Sequence, residues 1–329
     1  MLFPAVPDGS TCALVTRVDR TAYDVLTEQG VDRVPALPPG ADPLAAPTVG
    51  DHLELRPGLP VRLLPRRSLL ARGSSHGTSA GQPLAANVDH VLICLGLPGP
   101  LPFRRLERML SLAWESGAVP VVVLTKADLC PDVDAAVRSV RPYAPGTDVV
   151  TVSAEAGEVG ALAPYAASVL VLLGVSGAGK STVVNALLER TVMSTGDVRD
   201  TDGKGRHTTT HRELLLLPGG GVVIDTPGLR GVALQAAGEG NGVGRAFADV
   251  EELAVACRFA DCRHLTEPGC AVLSSVVAGD LGEDRVESWR RLQREQAYQA
   301  RRTDGRLRAL EAQRWKAMSK AQRARPGRP

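Results

Sequence analysis

Apolar positions change their rhythm twice along this chain. Through about the first 75 residues they come in short pieces, CALVTRV (Cys12–Val18), AYDVLT (Ala22–Thr27) and DHLELR (Asp51–Arg56), separated by Gly- and Pro-containing stretches such as PALPPGADPLAAP. Short β-like pieces with frequent turn residues predict a small β-barrel. From about Asn87 the pieces lengthen and alternate with helical stretches. VDHVLICLGL, VPVVVLT, DVVTVSA, SVLVLLG, ELLLL and VVIDT are near-continuous apolar runs, the pattern of strands covered on both faces. Between the first two, PFRRLERMLSLAWESG puts Leu106, Met109, Leu110 and Ala113 at i, i+3, i+4 and i+7, one stripe of a helix. The middle of the chain is therefore predicted to be an α/β fold with a mostly parallel sheet. From about Gly238 the chain turns Gly-rich, then Cys- and His-containing, and ends in a basic helical stretch.

Composition adds bounds. The 329 residues allow two or three domains. Four Phe, four Tyr and three Trp leave the core to Leu, Val and Ala. MLFPAVPDGST has neither the basic start nor the apolar run of a signal peptide. The longest apolar stretch, around Ala166 to Val175, falls well short of the ~20 residues of a membrane-spanning helix. A soluble cytoplasmic protein with no membrane partner, a monomer, is the expectation. The net charge of +2 hides an asymmetry: Arg285 to Pro329 holds fourteen Lys and Arg against four Asp and Glu, so this end is +10 and the rest −8.

Gly174, Val175, Ser176, Gly177, Ala178, Gly179, Lys180, Ser181 and Thr182 read GVSGAGKST, between the strand SVLVLLG and the helix TVVNALLE. This is the phosphate-loop pattern in its proper context. Its glycines let backbone amides turn toward phosphates, which also meet the positive end of the next helix. Lys180 would reach the β- and γ-phosphates and Ser181 would bind Mg²⁺. The loop alone does not choose between ATP and GTP.

The choice comes from TKAD (Thr125, Lys126, Ala127, Asp128), which ends the strand VVVLT, where ligand contacts sit in open α/β sheets. The Asp128 carboxylate suits the N1 and N2 hydrogens of guanine, whereas adenine would leave it unpaired, a strong discriminator. Ser153 and Ala154 follow at the end of DVVTVSA, where backbone could meet the guanine O6. DTPG (Asp225–Gly228) closes VVIDT and resembles the element that senses a γ-phosphate, with Asp225 holding Mg²⁺ through water and the Gly228 amide facing the phosphate. GKGRHTTT (Gly203–Thr210) lies in the position of a first switch, where Thr209, or Thr208 beside it, would complete the Mg²⁺ shell. Leu229 follows Gly228 where many signalling GTPases carry a water-orienting Gln. His207 is then either the group that positions the attacking water or a polar residue of the switch loop.

These elements run in the order base reader, phosphate loop, first switch, second switch, a circular permutation of the usual arrangement. In that order, with RLLPRRSLLAR (Arg62–Arg72) and QPLAANVD (Gln82–Asp89), the sequence resembles the circularly permuted family of GTPases that depend on the small ribosomal subunit. The resemblance implies an OB-type oligonucleotide-binding barrel over 1–75, a permuted P-loop GTPase domain over 76–237 and a zinc-binding helical module with a basic tail over 238–329. It implies GTP hydrolysis to GDP stimulated by the small subunit late in its maturation. It also implies a part in hydrolysis for His207 and zinc at the cluster described next. Thr125 stands where the family usually has Asn, which would weaken one base contact.

Cys257, Cys262, His264 and Cys270 are spaced C-x4-C-x-H-x5-C. Three thiolates and an imidazole suit a closed structural zinc site, with a redox pair as the alternative. Cys12, Cys94 and Cys130 read as buried or incidental thiols. The basic end predicts salt-dependent, sequence-independent contact with rRNA. Arg62, Arg66, Arg67 and Arg72 form a second basic cluster, for RNA or as a charged strand edge. Beside the GTPase stands a second reading, an RNA-binding assembly module in which GTP and GDP act as conformational ligands with little turnover.

Overall fold

The computed structural model describes residues 3–38, 40, 42–72, 82–193, 213–225, 234–236 and 241–303. His207, Thr208, Thr209 and Gly228 lie outside the described residues, as do 304–329 of the basic end, and Asp225 is described in its backbone alone. The chain packs as two compact units, Met1–Asp249 and Val250–Pro329.

The first unit opens with an antiparallel sheet of β1 (Thr11–Val18), β2 (Ala22–Thr27), β3 (Gly30–Pro35), β4 (His52–Arg56) and β5 (Leu59–Leu63), in the order β3-β2-β1-β4-β5. Its alternation sends Ala13, Val15, Tyr23, Val25, Val34, Leu53 and Leu55 into one cluster. The two edge strands, β3 and β5, approach each other, so the sheet curls into a half-barrel. A hairpin of β6 (Leu69–Arg72) and β7 (Gln82–Ala86) then leads to the second sheet.

That sheet contains β8 (His90–Gly96), followed by α1 (Phe103–Glu115), β9 (Val119–Thr125), α2 (Val133–Val140), β10 (Asp148–Thr151), β11 (Val169–Leu173), α3 (Lys180–Leu187), β12 (Glu213–Leu216) and β13 (Val222–Asp225). The six strands lie in the order β10-β9-β8-β11-β13-β12, all parallel except β12 against β13. Val91 to Leu95, Val121 to Leu124 and Val222 to Ile224 are almost wholly buried, which is why these strands read as unbroken apolar runs. Counted afresh from β11, the strand that feeds Gly174, the order becomes 6-5-4-1-3-2, that of a doubly wound sheet whose ligand crevice opens at the carboxyl end of β11. The permutation thus moves the chain ends and leaves the crevice intact. The join it requires, from β10 to β11, is packed: Leu162 is fully buried and the Tyr165 hydroxyl donates to Asp148 Oδ2 at 2.8 Å.

After β13 come β14 (Leu234–Ala236), which pairs with β6, and α4 (Gly242–Ala246), which packs on α1. The predicted stripe of α1 is buried at Leu106, Leu110 and Ala113, and Met109 is half-buried. A second face, Glu107, Ser111, Trp114 and Glu115, is buried as well. α4 covers it: Glu115 accepts the Gly242 amide at 2.7 Å and the Arg245 guanidinium lies 3.6 Å from the Trp114 ring centre. A Cβ at position 242 would lie 2.2 Å from Ser111 O, so only glycine fits this crossing.

The half-barrel is fastened to the sheet by polar groups. Buried Asp51 takes a bidentate pair from Arg66, at 2.8 Å from Nε and 2.7 Å from Nη2. Asn87, left-handed at φ 55°, donates to Gly50 O at 2.9 Å and accepts from Arg67 N at 2.9 Å. Arg62 and Arg67 are paired with Glu54 and Asp89. Three of the four arginines of the basic cluster are thus held by carboxylates within the fold.

In the second unit α5 (Ala248–Val255), α6 (Ala271–Ala278) and α7 (Glu283–Thr303) enclose a short loop region from Cys257 to Cys270. No helix among the described residues is long and apolar enough to cross a membrane.

Candidate nucleotide site and metal centre

The phosphate loop connects β11 to α3 at the crevice. Gly174 sits at φ 147°, where an added Cβ would lie 2.5 Å from Cys94 O, so this loop can pass over β8 only as glycine. Gly177 and Gly179 take φ 76° and 77°, turning the backbone before the helix begins. Lys180, the first residue of α3, returns its ammonium to the loop, donating to Gly174 O at 2.8 Å and Val175 O at 2.7 Å. Ser181 and Thr182 occupy the first turn of α3. The Cys94 thiol lies under this loop, and burial pushes its pKa up to about 12, so it stays a neutral core group. Cys12 is likewise buried and Cys130 half-buried.

Residues 125–128 leave the end of β9, which is separated from β11 by β8 alone. Thr125 is buried, and its Oγ1 donates to Ala178 O of the phosphate loop at 2.9 Å, with Leu95 O at 3.4 Å. Lys126 adopts the left-handed conformation at φ 59°, uncommon for a non-glycine residue. That turn carries Ala127 and Asp128 over to the loop after β10. There the Ala127 amide donates to Val152 O at 3.2 Å, the Asp128 amide donates to Ser153 Oγ at 3.0 Å, and the Ser153 hydroxyl donates to Asp128 Oδ1 at 2.5 Å. Ser153, buried, thus fixes the rotamer of the Asp128 carboxylate, and Ala154 follows in the same turn. Residues 125–128, 153–154 and 174–182, far apart in sequence, converge at the carboxyl ends of β9, β10 and β11. The tie from Thr125 to Ala178 was not foreseen from sequence, where position 125 reads as a base contact. The tight Gly179, whose Cβ would lie 3.2 Å from Thr125 Oγ1, is the signal that this neighbour is close.

In the second unit the ligand atoms of Cys257, Cys262, His264 and Cys270 all lie within 4.8 Å of one another. Cys257 Sγ is 3.8 Å from Cys270 Sγ and 3.5 Å from His264 Nδ1, and His264 Nδ1 is 3.3 Å from Cys270 Sγ. A tetrahedral ion with metal–sulfur bonds of ~2.3 Å needs sulfurs ~3.8 Å apart, so the four groups fit zinc through Nδ1 of the histidine. The surroundings support them. Cys270 caps α6, its Sγ accepting the Leu273 amide at 3.4 Å. His264, at φ 55°, packs its ring edge on Trp289, whose Nε1 donates to Glu251 at 2.9 Å. Glu267 accepts the amides of Arg263, Leu265 and Thr266 at 3.1, 2.7 and 3.0 Å, bracing the loop on both sides of His264. The amide of Glu267 itself, together with those of Leu265, Arg263 and Thr266, holds the Glu267 carboxyl down to about 2. Glu267 and Trp289 are supports the C-x4-C-x-H-x5-C spacing did not reveal.

Residues 63–235 match the RsgA GTPase family model. The chain is 51% identical to the small ribosomal subunit biogenesis GTPase RsgA of Streptomyces coelicolor, over 93% of this chain and 86% of that protein. It is 47% identical to the protein of the same name from Opitutus terrae, over 85% and 81%. Among solved structures it is similar to YjeQ from Thermotoga maritima, with a TM-score of 0.60 at 26% identity over 87% of this chain and 98% of that one. It shares its fold with YloQ, described as a circularly permuted GTPase, at a TM-score of 0.62 and 22% identity over 89% and 97%. A family model spanning more than half of the sequence, and relatives this similar along nearly all of it, place one conclusion beside the permuted sheet and its crevice: the chain belongs to the RsgA GTPase family.

Proposed function

We propose that this protein hydrolyses GTP to GDP and phosphate in the cytoplasm, in late maturation of the small ribosomal subunit, with the subunit and its rRNA stimulating turnover. The convergence of Asp128 and Ser153 with the phosphate loop, through the Thr125 to Ala178 bond, is the observation that carries this reading. It puts a carboxylate with a fixed rotamer on the base side of a phosphate-binding helix terminus, and the family's relatives are named for this activity.

Within that reading the amides of Ser176 to Ser181 and the Lys180 ammonium bind the β- and γ-phosphates. Lys180 exchanges its loop carbonyls for phosphate oxygens as the substrate enters. Asp128 selects guanine, aided by Lys126 and the backbone of Ser153 and Ala154. Ser181 and Thr209, with Asp225 through water, would hold Mg²⁺, which when bound would supply neutralisation of the phosphate charge. The Gly228 amide meets the γ-phosphate and His207 positions water in the place left by Leu229. The zinc cluster is structural, with no open position for chemistry. The unit that carries it continues into the basic end, suited to rRNA phosphates. The half-barrel closes as an OB-type barrel over 1–75, the GTPase domain spans 76–237 and the zinc module spans 238–329.

Phosphate release from GTP, with and without purified small subunits, tests the reading. Strong stimulation by subunits is expected, with His207→Ala lowering the stimulated rate and sparing nucleotide binding. Tight subunit binding with negligible turnover would instead favour an assembly module for which nucleotide is a conformational ligand.

A further inference from the structure

Asn185 sits near the end of α3, the helix that the phosphate loop feeds, where asparagine is a poor helix former. The helix closes with a crossed pair of bonds around a left-handed residue. Glu189, at φ 52°, donates its amide to Ala186 O at 3.2 Å, and Arg190 donates its amide to Asn185 O at 3.3 Å. The chain beyond this turn returns to the Asn185 side chain. Oδ1 accepts the Val192 amide at 3.0 Å and the Met193 amide at 2.8 Å, while Nδ2 donates to Met193 O at 2.9 Å. Two backbone donors on one atom and a backbone acceptor on the other fix which end of the amide is oxygen. The Met193 side chain packs on the same core as Val183, Val184 and Leu188. Residues 192 and 193 are thus docked on the phosphate-loop helix by both polar and apolar contacts, and the Asn185 amide supplies every polar one of these.

We infer that Asn185 is a positioning residue for GTP hydrolysis. It fixes the point where the chain leaves the phosphate-loop helix, upstream in sequence of the stretch that carries His207, Thr208 and Thr209. This rests on the reading above, in which that stretch forms the first switch. Among the described residues the side-chain hydrogen bonds of Asn185 go to Val192 and Met193 and not to the phosphate loop, so its loss acts on turnover and not on the hold of the diphosphate. Catalytic geometry is sensitive to such distant anchors, since a misplacement of ~1 Å can cost up to ~100-fold in rate.

The test compares wild type with Asn185→Leu, similar in size and unable to hydrogen-bond. Three readouts are taken: subunit-stimulated kcat for GTP, affinity for GDP, and hydrogen exchange at the Val192 and Met193 amides. The expected result is a fall in kcat of about tenfold or more, GDP affinity within about threefold of wild type, and fast exchange at both amides with β11 still protected. Asn185→Ala, which favours the helix, replaces the leucine variant if that does not fold. Fast exchange at both amides with wild-type kcat overturns the inference, as do amides that stay protected or a loss of GDP affinity parallel to the loss of kcat. A wild type without subunit-stimulated turnover counts against the proposed function instead and leaves the amide-exchange result to decide whether Asn185 is the anchor.

Discussion

Thr125 Oγ1 donates a hydrogen bond of 2.9 Å to Ala178 O, joining the end of β9 to the middle of the phosphate loop across 53 positions of sequence. The threonine is buried, so it acts as a strut between residues 125–128 and the loop of residues 174–182. The permuted chain order does not disturb this strut, because both residues lie at the carboxyl-end edge of one parallel sheet, Thr125 at the end of β9 and Ala178 in the loop after β11, with β8 between the two strands.

Thr125→Val keeps the shape of the side chain and removes the donor, leaving Ala178 O without it. A buried acceptor that loses its partner costs about 1–2 kcal/mol, so GDP affinity should fall by roughly 5- to 30-fold. Thr125→Ser should bind like wild type. Equilibrium binding of GDP to the three proteins checks this, and undiminished binding by the valine variant would remove the strut from the account.

Arg66 and Asp51 meet in a bidentate pair whose carboxylate is fully buried, and Arg66 Nη2 also reaches Ala46 O at 2.7 Å. Removing one member leaves the other uncompensated, so Arg66→Met should destabilise the fold by about 3 kcal/mol or more. Denaturant unfolding of the GDP-bound protein measures it. A variant of normal stability with weakened RNA binding would return Arg66 to the role that its neighbourhood in the sequence suggested.

Glu54 is buried between Arg62, Arg56 and Ser10, and these partners hold its carboxyl down to about 2. A carboxyl whose folded pKa is depressed contributes fully above its ordinary value of ~4.5 and loses that contribution as pH falls toward ~2. Amide protection factors of β1, β4 and β5, which correct for the intrinsic pH dependence of exchange, should therefore fall over this acid window in wild type. In Glu54→Gln that part of the pH dependence should disappear, and an unchanged profile would show that the ion pairs do not stabilise the half-barrel.

Zinc bound by Cys257, Cys262, His264 and Cys270 should leave in step with the unfolding of that cluster. A strong chelator is expected to expose the Cys257, Cys262 and Cys270 thiols and to lower the helix content contributed by α5 to α7. Glu267→Ala frees the three amides that brace His264 and should speed zinc release by about tenfold or more, within the range for outer-shell partners of metal ligands. Colorimetric zinc release reads both, and equal rates for wild type and variant would assign Glu267 to the surface alone.

Much of this was legible in the sequence because burial on both faces writes itself as continuous Val and Leu runs, and phosphate loops need glycine at fixed places. The strands β1, β2 and β4 of the half-barrel, the six strands of the second sheet and the closeness of Cys257, Cys262, His264 and Cys270 came through, whereas β3 and β5 did not. What stayed hidden depends on contacts between segments with no shared pattern. The second buried face of α1 exists because α4 covers it, and Glu107, Ser111 and Glu115 carry no apolar signal. The short strand β14 is defined by its pairing with β6. Arg66 reads as a free cation until Asp51, fifteen positions away, is placed beside it.

The measurement closest to the central claim, one guanine-nucleotide site assembled from a base reader that precedes its phosphate loop, is the comparison of GDP and ADP affinity in wild type and in Asp128→Ala. A polar site built for a specific donor set discriminates by a factor of ~10⁴ or more, so wild type should bind GDP at least about 100-fold more tightly than ADP. Asp128→Ala should lose most of that preference by weakening GDP and leaving ADP alone. Equal affinities in wild type, or a preference untouched by the substitution, would contradict it.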